Sequence, residues 1–307
     1  MVLVEFNATF DVVGAEIRTF LLERSRVVST ANQGERAYHI MYHICVAGAG
    51  GCPLKVEDCH YLSLSGTTKI DGARAPRHPS PSATPPCSSS PPLAPTLTHP
   101  HPPTPSWPPP GVDDMKEFED VDVAMGTVGL GGDDKTTIWR FIQAQLQLGN
   151  LAFGDESEDT AVVQNVDVLR VAEGLLGTSD LREALETRSV TVRGDTTKIP
   201  LNPHQASLAR DAVVKICYAR LFSYVVSRIN GATCDKPATE MSIGLLDVYG
   251  FEFFDTNSFE QLCINFANEK LQQFFLTTVF SGEEASYKSE GVPWTPIPYS
   301  DNKQVIE

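Results

Sequence analysis

The sequence has no surplus of basic residues, no apolar run long enough to cross a bilayer and no pair of cysteines in CxxC spacing. Each absence removes a class of function. With 39 acidic against 24 basic side chains and a formal charge of −15, phosphate-rich surfaces repel the chain, so binding to nucleic acid or anionic lipid is not expected. No stretch reaches the roughly 18 apolar residues of a membrane span, and acidic Glu5 stands where a signal peptide carries base. The chain reads as cytoplasmic. The seven cysteines, at 45, 52, 59, 87, 217, 234 and 263, indicate neither a zinc site nor a disulfide framework and read as reduced, buried thiols. The sequon Asn7-Ala8-Thr9 is incidental in such a compartment. A phosphate-cradling G-x-x-x-x-G-K-[ST] loop is also missing. The nearest imitation, Gly129 to Thr136, has Asp134 where the second glycine belongs, and two acids there repel phosphate.

The 307 residues, 41% of them apolar, are enough for one large domain or two small ones. One segment stands apart: 15 of the 22 prolines fall between Pro76 and Pro110, and no charged residue occurs from Pro79 to Val112. Proline fixes φ and removes backbone donors, so this stretch is expected to be disordered, solvated coil of polyproline II character dividing the chain in two. Its Pro-x-x-Pro spacings, Pro102 to Pro105 and Pro105 to Pro108, suit an SH3-type partner, but any proline-dense run produces them by chance, and a passive insertion is the favoured reading.

Around it the patterning is regular. Val2 to Phe10 and Ala15 to Leu22 read as two strands of a hairpin. Tyr38, Met41, Tyr42 and Cys45 recur at helical spacing. His39 and His43, four apart, suit a metal pair only with a third ligand that the spacing does not provide. A helix is expected from a cap at Asp133 or Asp134 to Gly149, with Ile138, Phe141 and Ile142 inward. A short helix follows over Val166 to Leu176, then a β-rich run around Ser189. Asn202-Pro203 opens a helix closing at Asn230-Gly231, with Val213, Ile216, Cys217, Leu221, Tyr224 and Val225 as its apolar stripe. Ile243 to Val248 reads as a buried strand carrying Asp247. A last helix starts at Ser258 with a capping box to Gln261; its apolar face is Phe259, Leu262, Cys263, Phe266, Phe274 and Phe275, and it continues to Val279 or beyond.

Asp247-Val248-Tyr249-Gly250-Phe251-Glu252 combines features used in nucleotide sites: a strand end, an acid able to hold a magnesium-bound water, and a glycine that lets backbone approach phosphate. An ordinary turn has the same outline. The longer string LLDVYGFEFFDTNSFEQLCINFANEKLQQFF, Leu245 to Phe275, resembles the switch II loop and relay helix of myosin motor domains. GAEIRTFLLERSRVV (Gly14 to Val28), GERAYHIMYHIC, LQLGNLAF (Leu146 to Phe153) and PLNPHQASLARDAVVKICYARLF (Pro200 to Phe222) resemble the same family, in the same order.

The resemblance implies an α/β, partial P-loop NTPase-type motor domain, mostly helical, with a few central-sheet strands. It assigns 1–72 to transducer strands and first helices and 73–112 to the Pro/Ser-rich insertion. It assigns 113–242 to an upper actin-binding subdomain and 243–307 to switch II, the relay helix and the start of a lower actin-binding subdomain. The implied ligands are ATP and Mg2+ and the implied partner is the actin filament, in the cytoskeleton, with light chains only in a full-length form. Asp247 would be an outer-sphere magnesium partner and Gly250 an amide donor to the γ-phosphate. Phe251 would line the nucleotide site, and Glu252 would pair with a switch I arginine to position water. Ser189 to Leu201 resembles the actin-contacting cardiomyopathy loop, which places Arg193, Asp195 and Lys198 at the filament; Asp195 reads equally as a solvated turn acid. The family's P-loop and switch I have no counterpart here, so ATP hydrolysis by this chain alone is not expected. A truncated gene product with translated non-coding sequence between Gly72 and Val112 is one expectation. A non-catalytic actin- or SH3-binding protein derived from a motor head is the other.

Overall fold

In the computed structural model the described residues are 1–28, 35–64, 66–69, 111–157, 160–234, 241–254, 257–295 and 297–307. The proline-rich expectations, including Pro102 to Pro108, therefore lie almost wholly outside the described residues. The first half contains strands β1 (Val2–Phe6) and β2 (Val12–Ile17), helix α1 (His39–Ala47) and the single turn α2 (His60–Ser63). Then come α3 (Asp114–Thr127), α4 (Gly132–Gly149), the hairpin β3 (Phe153–Ser157) and β4 (Thr160–Val163), α5 (Val166–Leu176) and α6 (Leu181–Glu186). The hairpin β5 (Thr187–Val192) and β6 (Asp195–Pro200), α7 (Pro203–Thr233), β7 (Met241–Leu245), α8 (Phe259–Phe275), α9 (Gly282–Glu290) and α10 (Lys303–Ile306) complete the order.

The fold is mainly helical with three small sheets, the largest in the order β2-β1-β7. Every strand pairing among the described residues is antiparallel. The first hairpin is shorter than its apolar pattern suggested because a turn captures its tip. Asn7 Oδ1 accepts the backbone N–H groups of Thr9 at 3.0 Å and Asp11 at 2.9 Å, leaving Phe10 at φ +63° outside the ladder.

Helix α4 is the centre of the core. From Ile142 through Gly149 every residue is buried, and α1, α2, α5 and α7 pack around it. Neither Asp133 nor Asp134 caps it: the cap residue is Gly131, without a side-chain bond. Asp134 is drawn instead to α7, where it accepts from Tyr224 Oη at 2.9 Å and pairs with Arg228 at 3.0 Å. Lys135 bonds Asp122, so the Gly129 to Thr136 segment is engaged as an interhelical junction. At the other end, buried Arg210 donates from Nη1 to the carbonyls of Gly149 at 3.2 Å and Leu151 at 3.0 Å. Its neighbour Asp211 accepts from Tyr61 Oη at 2.6 Å. That buried cation reorders α7. The fully inward positions are Ala206, Arg210, Val214 and Tyr218, four apart, whereas Ile216 and Tyr224 of the expected stripe are exposed.

A second buried cation joins the two halves. Arg36 grips both carboxylate oxygens of Asp114 at 3.1 and 2.8 Å, donates to Thr68 O at 3.2 Å and lies 3.7 Å from the Tyr42 ring centre. His43 is buried beside the same carboxylate at 3.5 Å, and burial lowers its pKa. Helix α3, which follows, was not foreseen. Its signal is Asp113, whose carboxylate accepts from the N–H groups of Met115 and Lys116, followed by Phe118, Val121 and Met125 at inward spacing. A cavity of about 320 Å3 remains between α1, α3, α4 and α7, lined among others by Met125, Trp139, Tyr218 and Val225.

The largest departures are on the outside. All five residues of β7 are exposed, Ile243 and Leu245 at 57 and 60%, because no layer of the described chain covers either face. The expected apolar face of α8 likewise points to solvent: Phe259 is 74% exposed and Leu262 64%, with Cys263, Phe266, Phe274 and Phe275 exposed too. The buried residues of α8 are Gln261 and Ile264. The helix does continue, through a π-helical turn at Leu276–Ser281, into α9.

Gly149 is closely enclosed, since a Cβ there would lie 2.5 Å from the Tyr61 ring. Gly149→Ala is expected to destabilise the fold by about 1–3 kcal/mol through overpacking. Gly174→Ala, mid-helix in α5 with open space around it, is expected to stabilise by about 0.5–1 kcal/mol. Thermal unfolding of both variants checks the contrast.

Candidate functional site

Beyond β7 the chain leaves the sheet, and residues 246–254 run as an irregular segment back over α8. Asp247 is in this segment, not in the strand, and is exposed with Val248, Gly250 and Phe251. Four of the anticipated residues, Asp247, Gly250, Phe251 and Glu252, are thus brought into one loop. Arg193, Asp195 and Lys198 belong to a different element, the β5–β6 hairpin, joined by the two-residue turn Arg193-Gly194 with φ of +55° and +96°. Two positive φ values match the right-handed twist of the flanking strands. Arg193 and Asp195 are exposed at the tip, and Lys198 is ion-paired with Glu183 of α6.

The loop is fixed to α8 by two asparagines one helical turn apart. Asn265 Oδ1 accepts the Glu252 N–H at 2.7 Å, and Asn265 Nδ2 donates to Glu252 O at 2.7 Å. A primary amide used in this way satisfies both backbone groups of one residue, as a neighbouring strand would. Asn268 Nδ2 adds a bond to Gly250 O at 3.1 Å. Neither residue was singled out in the sequence; their spacing of three on the helix whose cap was already identified is the available signal. At that cap, the Ser258 N–H donates to Gln261 Oε1 at 2.8 Å.

The other side of the loop rests on the first half of the chain. Tyr249 lies beside Tyr38, whose hydroxyl donates to Glu23 O at 3.0 Å and whose ring stacks on Tyr218 of α7 at 4.6 Å. Burial raises the pKa of both tyrosines. A cleft of about 400 Å3 is lined by Arg26, Glu35 and residues 250–254. Arg26 is already held by Glu23 at 2.6 Å and Glu35 at 3.2 Å; burial opposes its charge, but these two carboxylates keep its pKa above the ordinary value. Glu252 Oε2 is buried without a hydrogen-bond partner. Burial, with Glu23 and Glu35 adding to it, raises the Glu252 pKa above the usual 4.5, while a bond from Gln261 works against the shift.

The segment offers an acid at Asp247, open space around Gly250 and a carboxyl at Glu252. The one cation lining the cleft among the described residues is committed to two carboxylates. A triphosphate carrying three or four negative charges does not fit these residues alone, because nothing balances it. The loop is suited to be one wall of such a site.

Two outcomes follow. Asn265→Ala removes both bonds to Glu252 and is expected to cost about 1–2 kcal/mol, with faster amide hydrogen exchange at Glu252 than at buried Leu146. For Glu252, a folded-state pKa above the unfolded one means that stability falls as pH rises from about 4.5 through the folded value. Glu252→Gln removes that penalty. Its melting temperature should exceed the parent's at pH 7 and converge with it at pH 4.

Comparison with known proteins bears on the whole chain. The family model for the myosin head (motor domain) matches residues 1–307. The chain is 35% identical to Myosin-1 of Emericella nidulans over 98% of its length, 36% identical to Myosin-1 of Pyricularia oryzae over 99%, and 34% identical to the myosin IC heavy chain of Dictyostelium discoideum over 99%. It spans only 22 to 23% of the length of these relatives. The 307 residues belong to the myosin head (motor domain) family.

Proposed function

We propose that this chain is the part of a myosin motor that senses the γ-phosphate end of ATP and passes that state to a helix. The observation that carries this reading is the clamp of the 246–252 loop to α8 by Asn265 and Asn268. A displacement of Gly250 or Glu252 is transmitted to α8 because two side-chain amides hold their backbone. In this reading Asp247 holds a water of the Mg2+ shell, the Gly250 amide meets the γ-phosphate, Phe251 lines the nucleotide site and Glu252 orients the attacking water. ATP and Mg2+ supply the hydrolytic chemistry when bound. The chain's own residues contribute the acid, the open backbone and the coupling. The remaining phosphate contacts belong to a P-loop and switch I, completing a P-loop NTPase-type site that the relatives' greater length has room to supply.

The exposed tip of the β5–β6 hairpin, with Arg193, Asp195 and the adjoining Lys198, is the proposed contact with actin filaments in the cytoskeleton. The transducer assignment of 1–72, the upper actin-binding assignment of 113–242 and the relay assignment of 243–307 are part of the same proposal.

P-loop amides and lysine make several charge-assisted bonds to nucleotide, each worth about 1.5–3 kcal/mol. Titration of the purified 307-residue chain with a fluorescent ATP analogue and Mg2+ is therefore expected to show no saturable binding. A form of the protein that includes a P-loop upstream is expected to bind. Tight binding by the 307-residue chain would place the phosphate site elsewhere and overturn the reading.

A further inference from the structure

The fold gathers three of the scattered cysteines. Cys45 is in the last two turns of α1, Cys52 follows the 3-10 turn Ala49–Gly51, and Cys59 occupies the cap position of α2. Cys45 Sγ lies 3.9 Å from Cys59 Sγ, and Cys59 also donates its thiol to Lys55 O at 3.3 Å. Cys52 is near enough to Cys45 to raise its pKa. Cys59 is fully buried and Cys52 nearly so, while Cys45 is partly open to solvent. Among the described cysteines, Cys45 and Cys59 form the one sulfur–sulfur hydrogen-bonding contact.

We propose that Cys45 and Cys59 form an oxidisable dithiol, a modification site for peroxide-class oxidants that closes into a disulfide. A shift of about 2 Å, within the reach of a χ1 adjustment at either residue, brings the sulfurs to bonding distance. With hydrogen peroxide, the Cys45 sulfur attacks one oxygen; the S–O bond forms as the O–O bond breaks, and hydroxide leaves. The Cys59 sulfur then attacks Cys45, forming the S–S bond and expelling the second hydroxide. The two thiol protons convert both hydroxides to water, and two electrons pass from sulfur to oxygen. Partial exposure of Cys45 gives a small oxidant access; its sulfur neighbours Cys52 and Cys59, and then burial, raise its pKa, so attack through the small thiolate fraction is slow. The buried Cys59 is poised as the resolving thiol. The product ties the end of α1 to the start of α2, across a turn whose Gly50 packs against Trp139 of α4. The closed form is therefore expected to unfold at a higher temperature than the dithiol.

Trypsin separates the candidates. Cleavage after Arg36, Lys55 and Lys69 places Cys45 and Cys52 in the peptide 37–55 and Cys59 in 56–69. After peroxide treatment of the whole chain, alkylation and digestion without reductant, the expected product is a cross-linked 37–55/56–69 pair two hydrogens lighter than the separate peptides. It should persist in Cys52→Ser, disappear in Cys45→Ser and fall sharply when the chain is oxidised in urea. A disulfide confined to 37–55, a link that survives Cys45→Ser, equal yield in urea, or three free thiols in the oxidised folded chain would each overturn the proposal.

Discussion

The guanidinium of Arg210 at the end of α4 is the interaction on which the core depends. The last carbonyls of a helix have no partner within it, and Gly149 at the end of α4 and Leu151 just beyond it are too buried for water to supply one. Each would otherwise cost about 1–3 kcal/mol. A cation donating to both satisfies them and opposes the negative end of the helix dipole. Because Arg210 belongs to α7 and its neighbour Asp211 accepts from Tyr61 of α2, three helices meet at one charged group. The Tyr61 ring is in turn what fills the space next to Gly149. The dry part of the molecule is organised around a polar centre.

The elements that could be read directly were those whose signals are local. The Asn202-Pro203 opening of α7, the Ser258 and Gln261 start of α8 and the full extent of α5 follow from cap chemistry and periodicity, and the structure has them in place. What could not be read was which apolar residues find cover. Of the stripe that hydropathy suggests, Val213, Leu221 and Val225 pack against the core, but Ile216 and Tyr224 are exposed, because the helix turns to bury Arg210, a residue that hydropathy places outside. The apolar runs of β7 and α8 were read as core. Whether they are buried depends on which layers lie against them, a property no local window contains.

The candidate loop divides in the same way. Asp247, Gly250 and Glu252 were legible because an acid and a glycine after an apolar run form a recognisable string. Asn265 and Asn268 were not, since an asparagine inside a helix has the same outline whether it faces water or holds another segment's backbone. The cysteines read as reduced, buried thiols. The described ones are free, with Cys263 alone exposed, while the meeting of Cys45 and Cys59 was not legible because it depends on α1 and α2 packing on the same helix. The exposed Phe259, Leu262 and Phe274 of α8 leave one flank apolar, which favours association in water.

Arg36 has an implication for how this family can vary. Thr68 and Asp114 bond to the same guanidinium, so two positions 46 apart in the sequence are held at a single point. The packing of the described residues depends on that point and not on the number of residues between the two. A change in that number is open to evolution as one that the helices do not register.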